Sequence, residues 1–211
     1  MEFALAPVSY TILIVIGAVS VLGLKAAPRI IERCLLRPYN VVRKGDYAPV
    51  ITCGFVHADI THLLFNGLTL YFFGPSLEYR IGSVRFAVLY FAGLVISSLG
   101  TVYKHRNNPD YASLGASGAI LAVLFAFIVY YPTRLLYLYF AIPIPAVVFA
   151  FGYLAYTWWA SKSARGRINH DAHLDGAITG MVFVAITDPR AQTAFWRSLT
   201  AEQRAAILKA P

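Results

Sequence analysis

The chain has 211 residues, of which 58% are hydrophobic and 13% charged, and its mean hydropathy is +0.61. Soluble domains carry charge on about a quarter of their residues, so this composition excludes an ordinary soluble globular protein and points to an all-α membrane protein. The net charge of +8 is spread between apolar runs rather than gathered in one aromatic-lined patch, which argues against nucleic acid as a partner and for anionic lipid headgroups.

Charge-free windows run over 3–24, 60–77, 86–103, 111–133, 135–161 and 176–187, the last extended back to His173. Most approach the roughly 20 residues that cross a bilayer. The chain therefore reads as a six-transmembrane-helix bundle over 1–189 with a C-terminal surface tail over 190–211. The first window has no basic flank before it and no small-residue cleavage site after it, so a retained helix is expected at 8–24. In the connection that follows, Arg29, Arg33 and Arg37 share one helical face opposite aliphatic residues. That spacing predicts an interfacial amphipathic helix, with a solvated basic loop as the alternative. Cys34 and Cys53 show no metal-ligand spacing.

The second window opens with His57, His62 and Asn66. His62 and Asn66, four apart, share a helix face, and polar groups at this depth are costly unless they have a function or a partner. A metal held by His57, Asp59 and His62 is a competing reading, which no tight histidine pair or cysteine supports. This helix is expected to end near Pro75, with an internal Glu78–Arg80 ion pair fixing the turn through Gly82. The third window offers Gly93, Ser97, Ser98 and Gly100 as packing contacts. The fourth carries Ser117 between Gly115 and Gly118. A helix beginning near Gly115 would leave backbone N–H groups of its first turn free to face a developing negative charge, whereas the plainer reading is close helix packing.

Pro143 and Pro145 predict a kinked or broken fifth helix, a candidate moving element. Trp158 and Trp159, followed by Lys162, Arg165 and Arg167, resemble an interfacial belt. In the sixth window Gly176 and Gly180 form a small-residue stripe, which would pack on the helix of Ser117 and bring His173 beside it. Asp171 and Asp175, two residues either side of His173, fall on the opposite face. In the tail, Thr200 and Gln203 have capping-box spacing and predict a short amphipathic surface helix from about 201.

Taken together, these residues resemble the rhomboid intramembrane serine proteases over about 53–187. His57, His62 and Asn66 fit the family's second-helix motif, Gly115-Ala116-Ser117-Gly118 its Gly-x-Ser-Gly, and Ala172-His173 with Gly176 and Gly180 its sixth-helix motif. Glu78, Arg80 and Gly82 match its Glu-x-Arg-x-Gly. The resemblance implies a Ser117–His173 dyad, an oxyanion site of His62, Asn66 and the Ser117 N–H, transmembrane protein substrates and no metal or organic cofactor. It also implies a bacterial inner membrane, although the Lys/Arg distribution favours the orientation opposite to the family's. Leu121 stands where many rhomboids place a tyrosine one turn after the nucleophile. An inactive client-binding relative and a small transporter are the alternative readings.

Overall fold

The computed structural model describes residues 2–138, 141–162 and 169–191. A single turn, α1 (Glu2–Leu5), precedes α2 (Pro7–Lys25), which opens on a proline whose missing N–H costs nothing at that position. The connection that follows is three short helices, α3 (Pro28–Cys34), α4 (Pro38–Lys44) and α5 (Pro49–Thr52), each begun by proline. One continuous amphipathic helix is therefore not formed, because Pro38 and Pro49 each restart the chain. Arg29, Arg33, Arg43 and Lys44 remain exposed on this segment.

α6 (Ile60–Ile81) is capped by Asp59, whose carboxylate accepts the His62 N–H at 2.8 Å. The helix does not end near Pro75 as expected but runs through it to Gly82. One forfeited backbone bond is outweighed by the packing around it, since Leu70, Gly74, Leu77 and Glu78 are all buried. α7 (Ser83–His105) and α8 (Ser117–Tyr130) follow. The fifth window corrects the expectation of a kinked helix. Strands β1 (Leu135–Leu138) and β2 (Ile142–Pro145) pair antiparallel, with Leu135 opposite Pro145 and Leu138 opposite Ile142. Both prolines thus lie in a two-stranded ribbon, where edge positions tolerate them, and α9 (Ala146–Ser161) starts only after Pro145. α10 (His170–Thr187) begins one turn before His173. The tail helix expected from about 201, and Arg165 and Arg167 of the belt, lie outside the described residues; Lys162 sets its ammonium 3.4 Å from the centre of the Trp158 ring.

α8 is the axis of the molecule. It is buried continuously from Gly118 to Ile128 and again at Tyr130, and it packs against α6, α7, α9 and α10, while α2 lies on α6. The outward faces of these helices are apolar: Ile14 and Leu22 on α2, Val88 and Leu99 on α7, Phe151 on α9 and Ile186 on α10 are exposed. By length and composition, α2 and α7 are each able to cross a membrane.

Glu78 joins the first helix to this assembly. Its carboxylate, 1% exposed, accepts the N–H groups of Val8 at 3.0 Å and Ser9 at 2.7 Å and the Ser83 hydroxyl at 2.6 Å. An anion thus closes the N-terminus of α2, where unpaired N–H groups and the helix dipole favour negative charge. The expected ion pair with Arg80 is not formed, because α6 continues through both residues and positions two apart point to different faces. Arg80 instead lies 5.2 Å from the centre of the Tyr130 ring. Glu78→Ala should therefore destabilise the detergent-solubilised protein by about 2–4 kcal/mol, by leaving two buried helix-terminal donors unpaired. Glu78→Gln, which keeps one acceptor, should fall between Ala and wild type in thermal unfolding.

Candidate active site

The site begins with two backbones in contact. A Cβ added at Gly176 of α10 would stand 2.1 Å from the Gly118 carbonyl oxygen, and one at Gly180 would stand 2.2 Å from that of Ala122. Only hydrogen side chains permit this approach of α10 to α8. On the other side of α8, a Cβ at Gly118 would meet Ser97 Oγ at 2.0 Å, and one at Gly93 would meet the Ala122 Cβ at 2.5 Å. α7, α8 and α10 are thereby fixed as one unit around Ser117.

The chain reaches Ser117 through a loop held at both edges. Leu36 and Ser113 exchange backbone hydrogen bonds of 2.9 and 3.0 Å, and the Gly115 N–H donates to the Cys53 carbonyl at 2.9 Å. Gly115 has φ +116°, a conformation for which glycine is suited, and a side chain there would strike the His62 ring at 2.5 Å. This backbone turn defers the helix from the expected Gly115 to Ser117. Within the loop Tyr111 stacks on His105 at 3.6 Å between ring centres, and its burial pushes the phenol up to about 12.

Ser117 Oγ lies 2.9 Å from His173 Nε2. Asn169 sets the start of α10: its side-chain oxygen accepts the Ala172 N–H at 3.1 Å, and its amide donates to Thr101 at 2.8 Å and Ser113 at 3.1 Å. One side chain thus ties α10 to α7 and to the loop before Ser117. Asp171 pairs with Lys104 at 2.6 Å. Asp175 faces α7, where its Oδ2 would lie 1.8 Å from a Cβ at Gly100. Neither carboxylate attends His173, whose Nδ1 instead meets the Tyr153 hydroxyl of α9 at 3.0 Å.

His57 is fully buried beneath this centre. Its Nδ1 lies 2.8 Å from Ser20 Oγ of α2, and its ring meets that of His62 edge-on at 5.0 Å. Asn66, 7% exposed, has an amide nitrogen with no acceptor among the described residues. Asp59, the third member of the competing metal reading, directs its carboxylate to the start of α6.

Three contributors were missed by sequence reasoning: Tyr153, Asn169 and Ser20. Asn169 had a signal, a capping residue three positions before Ala172. Tyr153 had only its i, i+4 spacing from Phe149, on whose ring it stacks at 5.5 Å. Nothing in the sequence joins positions 153 and 173.

The sequence model of the Rhomboid domain family matches residues 44–190. The chain belongs to the rhomboid family. It is 36% identical over 103 residues to YdcA of Bacillus subtilis (strain 168), named as a candidate rhomboid protease, covering 48% of this chain and 50% of that protein. It is 30% identical over 155 residues to the mitochondrial RHOMBOID-like protein 12 of Arabidopsis thaliana, covering 66% and 46%. A further match, 30% identical over 178 residues and covering 78% and 49%, is to the mitochondrial Rhomboid protein 1 of Saccharomyces cerevisiae. The chain spans about half the length of the curated relatives it matches. This rhomboid is a membrane protein; relatives with mitochondrial names give the narrower expectation of a bacterial inner membrane no support.

Gly176→Ala and Gly180→Ala should each destabilise the protein by about 1–3 kcal/mol, as overpacking does, because the new methyl meets backbone that cannot turn aside. Gly17→Ala on α2, where nothing lies within 4 Å, is the matched control and should leave the detergent unfolding midpoint unchanged.

Proposed function

We propose that this rhomboid is an active intramembrane serine endopeptidase that hydrolyses peptide bonds in or near the transmembrane segments of membrane proteins. The observation that carries the reading is the 2.9 Å approach of Ser117 Oγ to His173 Nε2, which is hydrogen-bond reach between a nucleophile and its base. Ser117 Oγ attacks the scissile carbonyl carbon as its proton passes to His173 Nε2. His173 then gives that proton to the leaving amide nitrogen, and water repeats the sequence on the acyl-enzyme.

The tetrahedral oxyanion needs donors in a site largely free of water. Asn66 supplies a buried amide without an acceptor among the described residues, and the half-buried His62 ring lies against Gly115, two residues before Ser117. The Ser117 N–H, at the first position of α8, has no acceptor within its own helix. No metal or organic cofactor takes part in this scheme.

The bundle crosses the bilayer six times, through α2, α6, α7, α8, α9 and α10. The apolar outward faces of these helices support this, and α8, with only 14 residues, does not by itself reach both membrane surfaces. At 1.5 Å per residue such a helix rises about 21 Å, short of the roughly 30 Å hydrocarbon core. Ser117 then sits below the membrane surface, reached by a loop whose backbone groups are bonded to Leu36 and Cys53. Irregular backbone is tolerated at that depth only when buried in protein or lining a wet cavity. Hydrolysis of the acyl-enzyme further requires that water reach Ser117 from the membrane surface.

A fluorophosphonate probe should label the detergent-purified protein at Ser117, and Ser117→Ala and His173→Ala should abolish both labelling and cleavage of a single-span substrate. A Ser117→Ala protein that still cleaves would overturn the reading. Asn66→Ala should lower kcat by about 10²–10³-fold with the thermal midpoint retained, the loss found when one oxyanion donor is removed.

A further inference from the structure

A general base that takes a proton at Nε2 must carry its own proton at Nδ1, and in a site of low polarity that N–H requires an acceptor. Neither nearby carboxylate provides it: Asp171 is engaged by Lys104, and Asp175 lies against α7. The group at Nδ1 is the hydroxyl of Tyr153, 3.0 Å away on α9. Its ring is held by Phe149, stacked at 5.5 Å, and by Phe125 of α8 at 5.9 Å. Leu121, one turn after Ser117, belongs to the same apolar cluster and offers no polar atom.

We propose that Tyr153 is the positioning residue of the dyad, its hydroxyl oxygen accepting the Nδ1–H of His173 and so holding the ring in the tautomer whose Nε2 lone pair faces Ser117. The inference rests on the protease reading given above. A phenol can donate as well as accept, and were Tyr153 to donate to Nδ1, the proton would reside on Nε2 and Ser117 would lose its base. The accepting arrangement is the productive one, because it alone leaves the Nε2 lone pair facing Ser117 Oγ. In it the hydrogen bond strengthens once His173 becomes an imidazolium, since a charged donor forms the stronger bond. The proton taken from Ser117 still travels only through Nε2 to the leaving nitrogen; Tyr153 exchanges none.

The position on α9 distinguishes this arrangement from a ring supported by the serine helix itself. α9 meets α10 through a second aromatic contact, Tyr156 edge-on to His170 at 5.5 Å, so two tyrosines one turn apart face two histidines one turn apart. The first pair includes the base of the dyad itself; in the second, His170 meets the His173 ring edge-on at 6.1 Å, and Tyr156 contacts His170 rather than His173.

Nitrogen-15 NMR of ring-labelled histidine in detergent micelles reads the tautomer directly, with the His173 signals assigned by difference from His173→Ala. Wild type should show His173 protonated at Nδ1. Tyr153→Phe, which keeps the ring packing, should show a mixture of tautomers, a kcat lower by about three- to tenfold, the scale of one neutral hydrogen bond, and an unchanged KM. Tyr156→Phe should alter neither. Wild-type His173 protonated at Nε2, or a Tyr153→Phe protein with wild-type tautomer and kcat, would overturn the proposal. If Tyr153→Phe fails to fold, the wild-type tautomer decides alone. Protein that shows the tautomer change yet never labels at Ser117 would instead remove the protease reading and leave the Tyr153 contact standing.

Discussion

The arrangement of this molecule depends on one contact between main chains, where α10 lies on α8 with Gly176 against the Gly118 carbonyl and Gly180 against that of Ala122. Water cannot drive two apolar helices together within lipid, so their association rests on close van der Waals fit and weak polar contacts, both of which demand small residues. Ser117 stands at the head of one helix and His173 in the first turns of the other. Their hydrogen bond follows from the separation of the two axes, which the side chains at the site inherit.

A second set of interactions fixes where the helices begin. Glu78 closes α2, Asp59 closes α6 and Asn169 closes α10, each accepting backbone N–H groups of the first turn. Two of these residues also reach beyond the helix they cap. Glu78 accepts from Ser83 at the start of α7, and Asn169 donates to Thr101 and Ser113. Helix ends that would expose unpaired donors at depth become joints between segments instead. The loop ahead of Ser117 is held in the same way, by backbone partners on both sides.

Much of this was readable from residue type and spacing. Serine between glycines, a histidine and asparagine four apart, and glycines at 176 and 180 define which faces meet, because polar or very small residues in an apolar run have few other uses. The elements less well read share a physical cause. The segment 135–145 is continuously apolar, and an apolar run without period does not distinguish a strand from a buried helix; its prolines fitted a broken helix as well as the ribbon found. Pro75 looked like a terminus because its local cost is visible in sequence, whereas the packing that offsets it comes from residues distant in the chain. The Glu78–Arg80 pairing presupposed a turn, and the longer α6 separated the two side chains. Tyr153 lay out of reach for a different reason: its partner is on another helix, and neither carries a mark of the other.

The glycine contact also governs how freely the sequence can change. Where recognition is between backbones, the identity of side chains on the opposite faces of the same helices has little bearing on it. On α10, Ile178, Val182 and Ile186 point outward, where any apolar residue of tolerable size serves. Substitutions can therefore accumulate over most of the surface while the serine and histidine keep their separation. Identities of 30% to relatives as distant as a yeast and a plant mitochondrial protein are the latitude that such an architecture permits.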